Sequence, residues 1–228
     1  MVDATAATAA PILPPSAANF SAHVPVLIVG GGGCGLTAAL AAHQAGAEVL
    51  VLERDASALG TTAMSTGLIP AANSRLQRDK GIVDSPELFA DDIVKKAKGQ
   101  TDAGIALALA RESARTVEWL IDDHQVPLSL VDSFLYPGHS VMRMHGSPNR
   151  TGSELMGSLA AACERRGIDI LTEAQVTELF ADAATGVVRG ARLRRPDGST
   201  EDLGCDALVL ACCGFVGNEA MVKQYIPE

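Results

Sequence analysis

The sequence predicts an α/β fold, a parallel sheet covered by helices, and three observations carry that reading. The apolar run Val26 to Val29 flows into a glycine-rich turn, Gly30 to Gly35, and then into a helical stretch from Leu36 to Ala45. A second β-rich run, Ala47 to Leu52, ends on an acid, Glu53. Much later a helix closed by Gly167 leads into a short apolar run, Ile168 to Leu171, which is the usual return of a β-α-β unit.

Residues 1–22 are rich in Ala, Thr and Pro without apolar periodicity and are expected to form a disordered tail, leaving residues 23–228 as the folded domain. The turn that follows the first strand has the spacing Gly30-x-Gly32-x-x-Gly35. That spacing permits a tight turn, brings backbone N–H groups against a pyrophosphate and packs the next helix closely on the strand. The helix N-terminus then faces the phosphate with its partial positive charge. Gly46 stands where a helix ends, and Glu53, at the tip of the next strand, is placed to accept both hydroxyls of an adenosine ribose. Strand, glycine turn, helix and distal acid together predict dinucleotide binding.

After Glu53 the chain runs through Gly60-Thr-Thr-Ala-Met-Ser-Thr-Gly67, a loop of small and hydroxylated residues that can lie against a large flat ring. A nicotinamide-binding domain would instead proceed into another helix and strand. Ser85-Pro86 opens a helix to about Ala97, followed by the breaker Gly99. A second helix starts near Thr101-Asp102, with Leu107, Ala110, Ala114, Val117 and Ile121 spaced for one inward face, and Trp119 half-exposed beside it. Residues 128–150 read as a loop broken by Pro137, Gly138, Gly146 and Pro148, and they carry His139, Arg143 and His145. Thr151-x-x-Glu154 is a capping-box pattern that opens a helix to about Arg165, with Leu155, Leu159 and Ala162 facing inward. Beyond the strand Ile168 to Leu171, the runs Gln175 to Ala181, Val187 to Arg194 and Ser199 to Asp206 form an antiparallel meander that feeds a final strand, Ala207 to Ala211.

The net charge of −9 argues against nucleic acid, and Arg192, Arg194 and Arg195 read as a solvated hairpin face. Five cysteines lack the spacing of a zinc or iron–sulfur site, so no metal is expected and the thiols are expected to be reduced in a cytoplasmic protein. There is no secretory-signal pattern, and no run of eighteen apolar residues, so no direct membrane insertion is expected.

The order GGGGCG, Glu53, GTTAMSTG, Asp84-Ser-Pro-Glu-Leu-Phe89 and Leu208-Val-Leu-Ala-Cys-Cys-Gly-Phe215 resembles the fumarate reductase and succinate dehydrogenase flavoproteins, a group that includes 3-ketosteroid 1-dehydrogenases. The likeness covers about residues 24–228 and implies a three-layer, Rossmann-like FAD-binding domain: a parallel sheet with helices on one face and the β-meander on the other. It implies that the domain is C-terminally incomplete, because in the family a capping domain with the substrate-binding and proton-donating residues follows the last strand. It also implies that Gly30, Gly32, Cys34 and Gly35 meet the FAD pyrophosphate, that Glu53 holds the adenosine ribose, and that Gly33 and Arg54 belong to the same cofactor site. Thr61, Thr62, Ser65, Thr66 and Gly67 would run along the ribityl chain and flavin, and the backbone of Val176 would meet the adenine. Ala211, Cys212 and Gly214 would contribute the turn written Ala-Thr-Gly-Gly in the family, where Cys212 and Cys213 replace a threonine and a glycine. With no histidine between residues 61 and 67, the resemblance implies noncovalent FAD. Arg143 and His145 are the weak candidates in this chain for contact with a carboxylate substrate or the flavin.

The function these features imply is hydride transfer between flavin and a C–C or C=C bond of a small carboxylate, or of a 3-ketosteroid. The electron donor or acceptor is unknown. The alternative is a noncatalytic fragment or a dinucleotide-binding module completed by another chain, associating through an exposed sheet edge.

Overall fold

The computed structural model describes residues 12–226. In chain order the elements are β1 (Ile12–Leu13), β2 (Phe20–Val29), α1 (Gly33–Gln44), β3 (Val49–Leu52), β4 (Ile69–Pro70), α2 (Arg75–Asp79), α3 (Pro86–Lys96), α4 (Ala103–Asp122), β5 (Ser129–Leu130), β6 (Met144–Gly146), α5 (Gly152–Arg165), β7 (Asp169–Leu171), β8 (Gln175–Ala181), β9 (Val188–Arg194), β10 (Thr200–Leu210) and α6 (Glu219–Tyr225). They fall into two compact units, one made of the chain up to Gly60 and from Cys163 onward, the other of Thr61–Ala162.

The first unit is a seven-stranded sheet in the order β1-β8-β9-β10-β2-β3-β7. Pairing is parallel for β1–β8, β10–β2, β2–β3 and β3–β7, and antiparallel along β8-β9-β10. Alternate side chains of Val26–Val29 in β2 and of β3 face two covered sides, which explains why both runs are apolar. Leu27 and Leu52 join a cluster with Ala174, Ala191, Leu193, Leu203 and Cys205, while α1 packs across the same two strands. Strands covered on both faces lose the polar-out residues of a half-exposed strand. Leu27, Ile28, Val51, Leu36 and Leu40 have no solvent exposure, and each such side chain contributes about 1.5–3 kcal/mol. Pro25, which lacks the N–H a central strand needs, lies just before Val26, where pairing with β3 begins.

Three expectations change here. The tail expected over residues 1–22 gives way from Ile12 onward: β1 pairs with β8, and β2 starts at Phe20, whose ring meets Phe180 edge-on at 5.6 Å. Residues 1–11 lie outside the described residues. Composition hid this edge because the anchor is one aromatic residue in an otherwise small and polar stretch. The α/β class holds, but the third meander strand and the final strand are a single strand, β10. It pairs with β9 through residues 200–204 and with β2 through residues 202–210, so the meander is hydrogen-bonded into the parallel sheet. Of the three arginines, Arg194 is exposed as expected, while Arg192 and Arg195 are half-buried. Arg192 bonds Asp202 in two places, at 2.7 and 3.0 Å, and Glu178 at 2.7 Å.

The second unit holds α2 to α4, most of α5 and a small antiparallel sheet ordered β4-β6-β5. Ser85 caps α3 by accepting from the Leu88 amide with Pro86 at the first position, and Asp102 caps α4 by accepting from Ile105. The buried line of α4 is Ala106, Ala110, Val117 and Leu120, with Leu107, Ala114 and Ile121 only half-buried. The face is rotated from the expected stripe because Phe89 of α3 packs against the small side chains of Ala106 and Ala110. The expected loop over residues 128–150 contains β5 and β6, strands too short for a period-two pattern to register. Only half of the expected capping box forms at α5. Thr151 accepts from the Glu154 amide at 3.3 Å, but the Glu154 carboxylate accepts from Asn149. A complete box stands instead at α2, between Ser74 and Gln77.

Candidate flavin-binding site

Within the first unit, β2, β3 and β10 are adjacent and parallel, so their carboxyl ends, Val29, Leu52 and Leu210, line one edge of the sheet. Ligands of open α/β sheets bind at that edge. Three glycines there do three different things. Gly30 has φ +108, and a Cβ on it would stand 2.6 Å from the Ala211 carbonyl oxygen and 3.0 Å from the Cys212 Cα. A Cβ on Gly35 would lie 1.8 Å from the Gly30 carbonyl oxygen, so only glycine lets α1 sit this close to the turn. At Gly32 the nearest atom to such a Cβ is the Gly60 Cα, 3.8 Å away. That opening is where a pyrophosphate would approach the backbone. Gly32 is also the N-cap of α1 and brings no side chain to its first amides, as suits a helix end that receives an anion.

Glu53 is 7% exposed and ties the second strand to this turn. Its Oε2 accepts from the Gly31 amide at 2.8 Å and its Oε1 from the Asp55 amide at 2.8 Å. A carboxylate has about four acceptor sites, so two remain for ribose hydroxyls. The Glu53 segment is laddered onto the chain entering β8: the Glu53 amide donates to Leu171, and Ala174 donates to the Glu53 carbonyl at 2.8 Å. This brings Val176, the residue expected to meet adenine, to the same end of the sheet. Beside it a cavity of about 400 Å³ is lined by Arg54, Glu173, Gln175, Arg194 and Arg195. The side chains fit a dinucleotide with its adenosine at Glu53 and its pyrophosphate at Gly32.

The last expected segment of this unit leaves β10. Ala211 donates to Val29 at 2.8 Å, and Cys212, Cys213 and Gly214 are exposed. Cys213 occupies φ 64, a left-handed conformation that suits the glycine its place has in the resembled family.

In the second unit the loop Thr61 to Gly67 is shaped against the start of α5. Residues Thr61–Met64 form a 3₁₀ turn, and the Ser65 hydroxyl donates to the Thr62 carbonyl at 2.7 Å while accepting from the Gly67 amide at 3.0 Å. The Gly152 amide donates to the Ser65 carbonyl at 2.8 Å, and a Cβ on Gly152 would lie 1.8 Å from the Thr62 carbonyl oxygen. Ser65 therefore holds the loop's form, whereas the Thr61 and Thr66 side chains are exposed.

Arg143 and His145 are corrected. Both are fully buried in the second unit. The Arg143 guanidinium binds Asp84 at 3.0 and 2.9 Å through Nε and Nη2, binds Asp92 at 2.6 Å through Nη1, and lies 4.7 Å from the centre of the Phe89 ring. Burial opposes its charge, but these two carboxylates outweigh it and raise its pKa. Burial would likewise raise Asp92, yet hydrogen bonds from Ser140 and Arg143 hold it below the usual carboxylate range. His145 shares a hydrogen bond with the Ser74 hydroxyl at 2.9 Å, and burial pushes its imidazole below the ordinary value. Neither side chain is presented to a ligand: the cluster is a buried structural network. The two acids were invisible in sequence because Asp84, just before the α3 cap, looks like a capping residue and Asp92, inside α3, looks like an ordinary polar helix position.

Fold and site define a dinucleotide-binding domain of the flavoprotein class. A family model described as FAD binding domain matches residues 25–228, and the chain belongs to that family, whose cofactor is FAD. The chain is 32% identical over 205 residues to the NADH:fumarate oxidoreductase of Klebsiella pneumoniae, covering 89% of this chain and 22% of that protein. It is 30% identical over 217 residues to the urocanate reductase of Eggerthella lenta, covering 95% of this chain and 36% of the relative. A flavocytochrome c3 fumarate reductase in its open conformation superposes with a TM-score of 0.84 at 30% identity, covering 93% of this chain and 37% of the other. A 3-ketosteroid dehydrogenase from Rhodococcus jostii RHA1 shares the fold, with a TM-score of 0.79 at 24% identity over 95% of this chain and 51% of that one. The chain thus spans between about a fifth and two-fifths of the length of these two curated relatives.

Among the described residues no helix is long and apolar enough to cross a membrane.

Proposed function

We propose that this chain supplies the FAD-binding part of an oxidoreductase that moves a hydride between noncovalently held flavin and a C–C or C=C bond of a small unsaturated carboxylate. The observation that carries the reading is the geometry around Glu53. One carboxylate fixes the phosphate turn through Gly31 and keeps acceptor sites for a ribose. FAD supplies the redox chemistry when bound, and the residues of this chain bind and orient it. The related proteins are named for reducing fumarate, urocanate and acrylate, all carboxylates conjugated to a C=C bond. No substrate-contacting residue is assigned in this chain, since Arg143 and His145 are committed to the buried network. The test is anaerobic: the full-length protein that carries this chain is loaded with FAD, the flavin is reduced, and its reoxidation is followed on addition of fumarate, urocanate or a steroid enone. Reoxidation by an unsaturated carboxylate supports the reading, and reoxidation by the enone alone overturns the substrate class.

A second reading is a dinucleotide-binding module that another polypeptide completes. It is favoured by the exposure of Leu210, Val216, Tyr225 and Ile226, all more than half accessible at the end of the described chain. It predicts FAD uptake with no reoxidation by any of these compounds.

A further inference from the structure

Cys163 and Cys205 are buried, and burial raises both thiols, Cys163 to about 11, so they stay protonated and shielded. The other three cysteines are exposed, and two of them, Cys212 and Cys213, are neighbours on the turn that leaves β10. In a continuing strand adjacent side chains point to opposite faces. The left-handed φ of 64 at Cys213 ends that alternation. Adjacent Cα atoms are about 3.8 Å apart, less than the roughly 4.4–6.8 Å that a relaxed disulfide spans, so the pair persists as a dithiol. Its backbone is pressed against the phosphate turn, since a Cβ on Gly30 would stand 3.0 Å from the Cys212 Cα.

We propose that Cys212 and Cys213 form a thiophilic site that binds a trivalent arsenical as a one-to-one dithiolate, and that the adduct and FAD exclude one another. The exclusion rests on the reading that FAD occupies the glycine turn, against which the Cys212 backbone lies; the arsenical site itself stands without that reading. With an organoarsenic oxide, two As–S bonds replace the As=O bond, the two thiol protons leave with the oxygen as one water, and arsenic stays trivalent. The site is particular to this chain's departure from the Ala-Thr-Gly-Gly turn, and by excluding FAD the adduct silences the hydride chemistry that the flavin supplies.

Intact mass of the reduced chain after treatment with phenylarsine oxide tests the proposal. The expected result is a single adduct less one water, kept by Cys34→Ser, lost on washing with a monothiol from both Cys212→Ser and Cys213→Ser, and removed from the parent chain by a dithiol. FAD at about ten times its dissociation constant is expected to slow adduct formation about tenfold, in proportion to the sites left open. An adduct retained equally by Cys212→Ser and Cys213→Ser overturns the site. Equal rates on flavin-loaded and flavin-free chain overturn the exclusion. A chain that takes up no FAD yet forms the dithiol-reversible adduct overturns the flavin reading and upholds the arsenical site.

Discussion

The Glu53 carboxylate accepts a hydrogen bond from the Gly31 amide at 2.8 Å, so the acid at the end of β3 braces the phosphate turn at the end of β2. Two pieces of the proposed dinucleotide site that lie 22 residues apart are one hydrogen-bonded object. The proposed ribose acceptor and phosphate cradle are therefore set in register before any ligand arrives, which would lower the ordering cost of binding.

Glu53→Gln keeps one acceptor oxygen and puts an amide NH₂ against one of the two backbone donors, the Gly31 or the Asp55 amide. Hydrogen bonds to charged groups are worth about 1.5–3 kcal/mol, so FAD affinity is expected to fall by about 10- to 100-fold. Flavin fluorescence titration reads this directly, and an unchanged affinity would remove the ribose assignment.

Gly35→Ala drives a Cβ into the Gly30 carbonyl oxygen. Overpacking of this kind costs about 1–3 kcal/mol or more, and the turn must open to relieve it, so both melting temperature and flavin uptake should drop. Gly157→Ala is the control. That glycine is in α5 with nothing within 4 Å of a new Cβ, and the change should add about 0.5–1 kcal/mol of helix stability.

Arg143→Met leaves Asp84 and Asp92 buried without their cation. The expected loss is about 3–5 kcal/mol in urea unfolding. The same pair sets an acid limit. Asp92 titrates below its unfolded value, so its contribution is present above about pH 4 and is lost as pH falls through the lower folded pKa. Stability of the parent chain should therefore fall more steeply below pH 4 than that of Arg143→Met. A variant as stable as the parent, with the same acid profile, would contradict the network.

These residues also mark what a sequence discloses. The strand, turn, helix and Glu53 were legible because each leaves a local signature: an apolar run, a glycine spacing, a cap and an acid at a set distance. The Ser85 and Asp102 caps were legible for the same reason. Arg143 was misplaced because burial against Asp84 and Asp92 is decided by residues 59 and 51 positions away. Nothing near Arg143 distinguishes a buried cation from a loop cation. The Ser74-x-x-Gln77 box did carry its signal, but in a five-residue helix without a following apolar run. The fusion of two expected strands into β10 was hidden because Gly204 and Asp206 interrupt an otherwise continuous β pattern.

Cys213→Gly relieves a left-handed conformation that costs a residue with a side chain about 1–2 kcal/mol. Glycine in turn loses up to about 1 kcal/mol of chain entropy, so a net gain of several tenths of a kcal/mol to about 1 kcal/mol is expected, with flavin uptake retained. Calorimetric melting checks it, and a lower melting temperature would mean that the Cys213 side chain makes contacts worth more than the strain.

The most direct test of the account is equilibrium binding of FAD and of NADH to this chain, followed by acid precipitation of the flavin-loaded protein. The account predicts that FAD binds at one per chain, that NADH does not compete for the site, and that acid releases all of the flavin into solution because no histidine lies in the loop from Thr61 to Gly67. Binding of NADH in preference to FAD, or no flavin uptake, would contradict the assignment of the Gly30 turn and Glu53 to FAD.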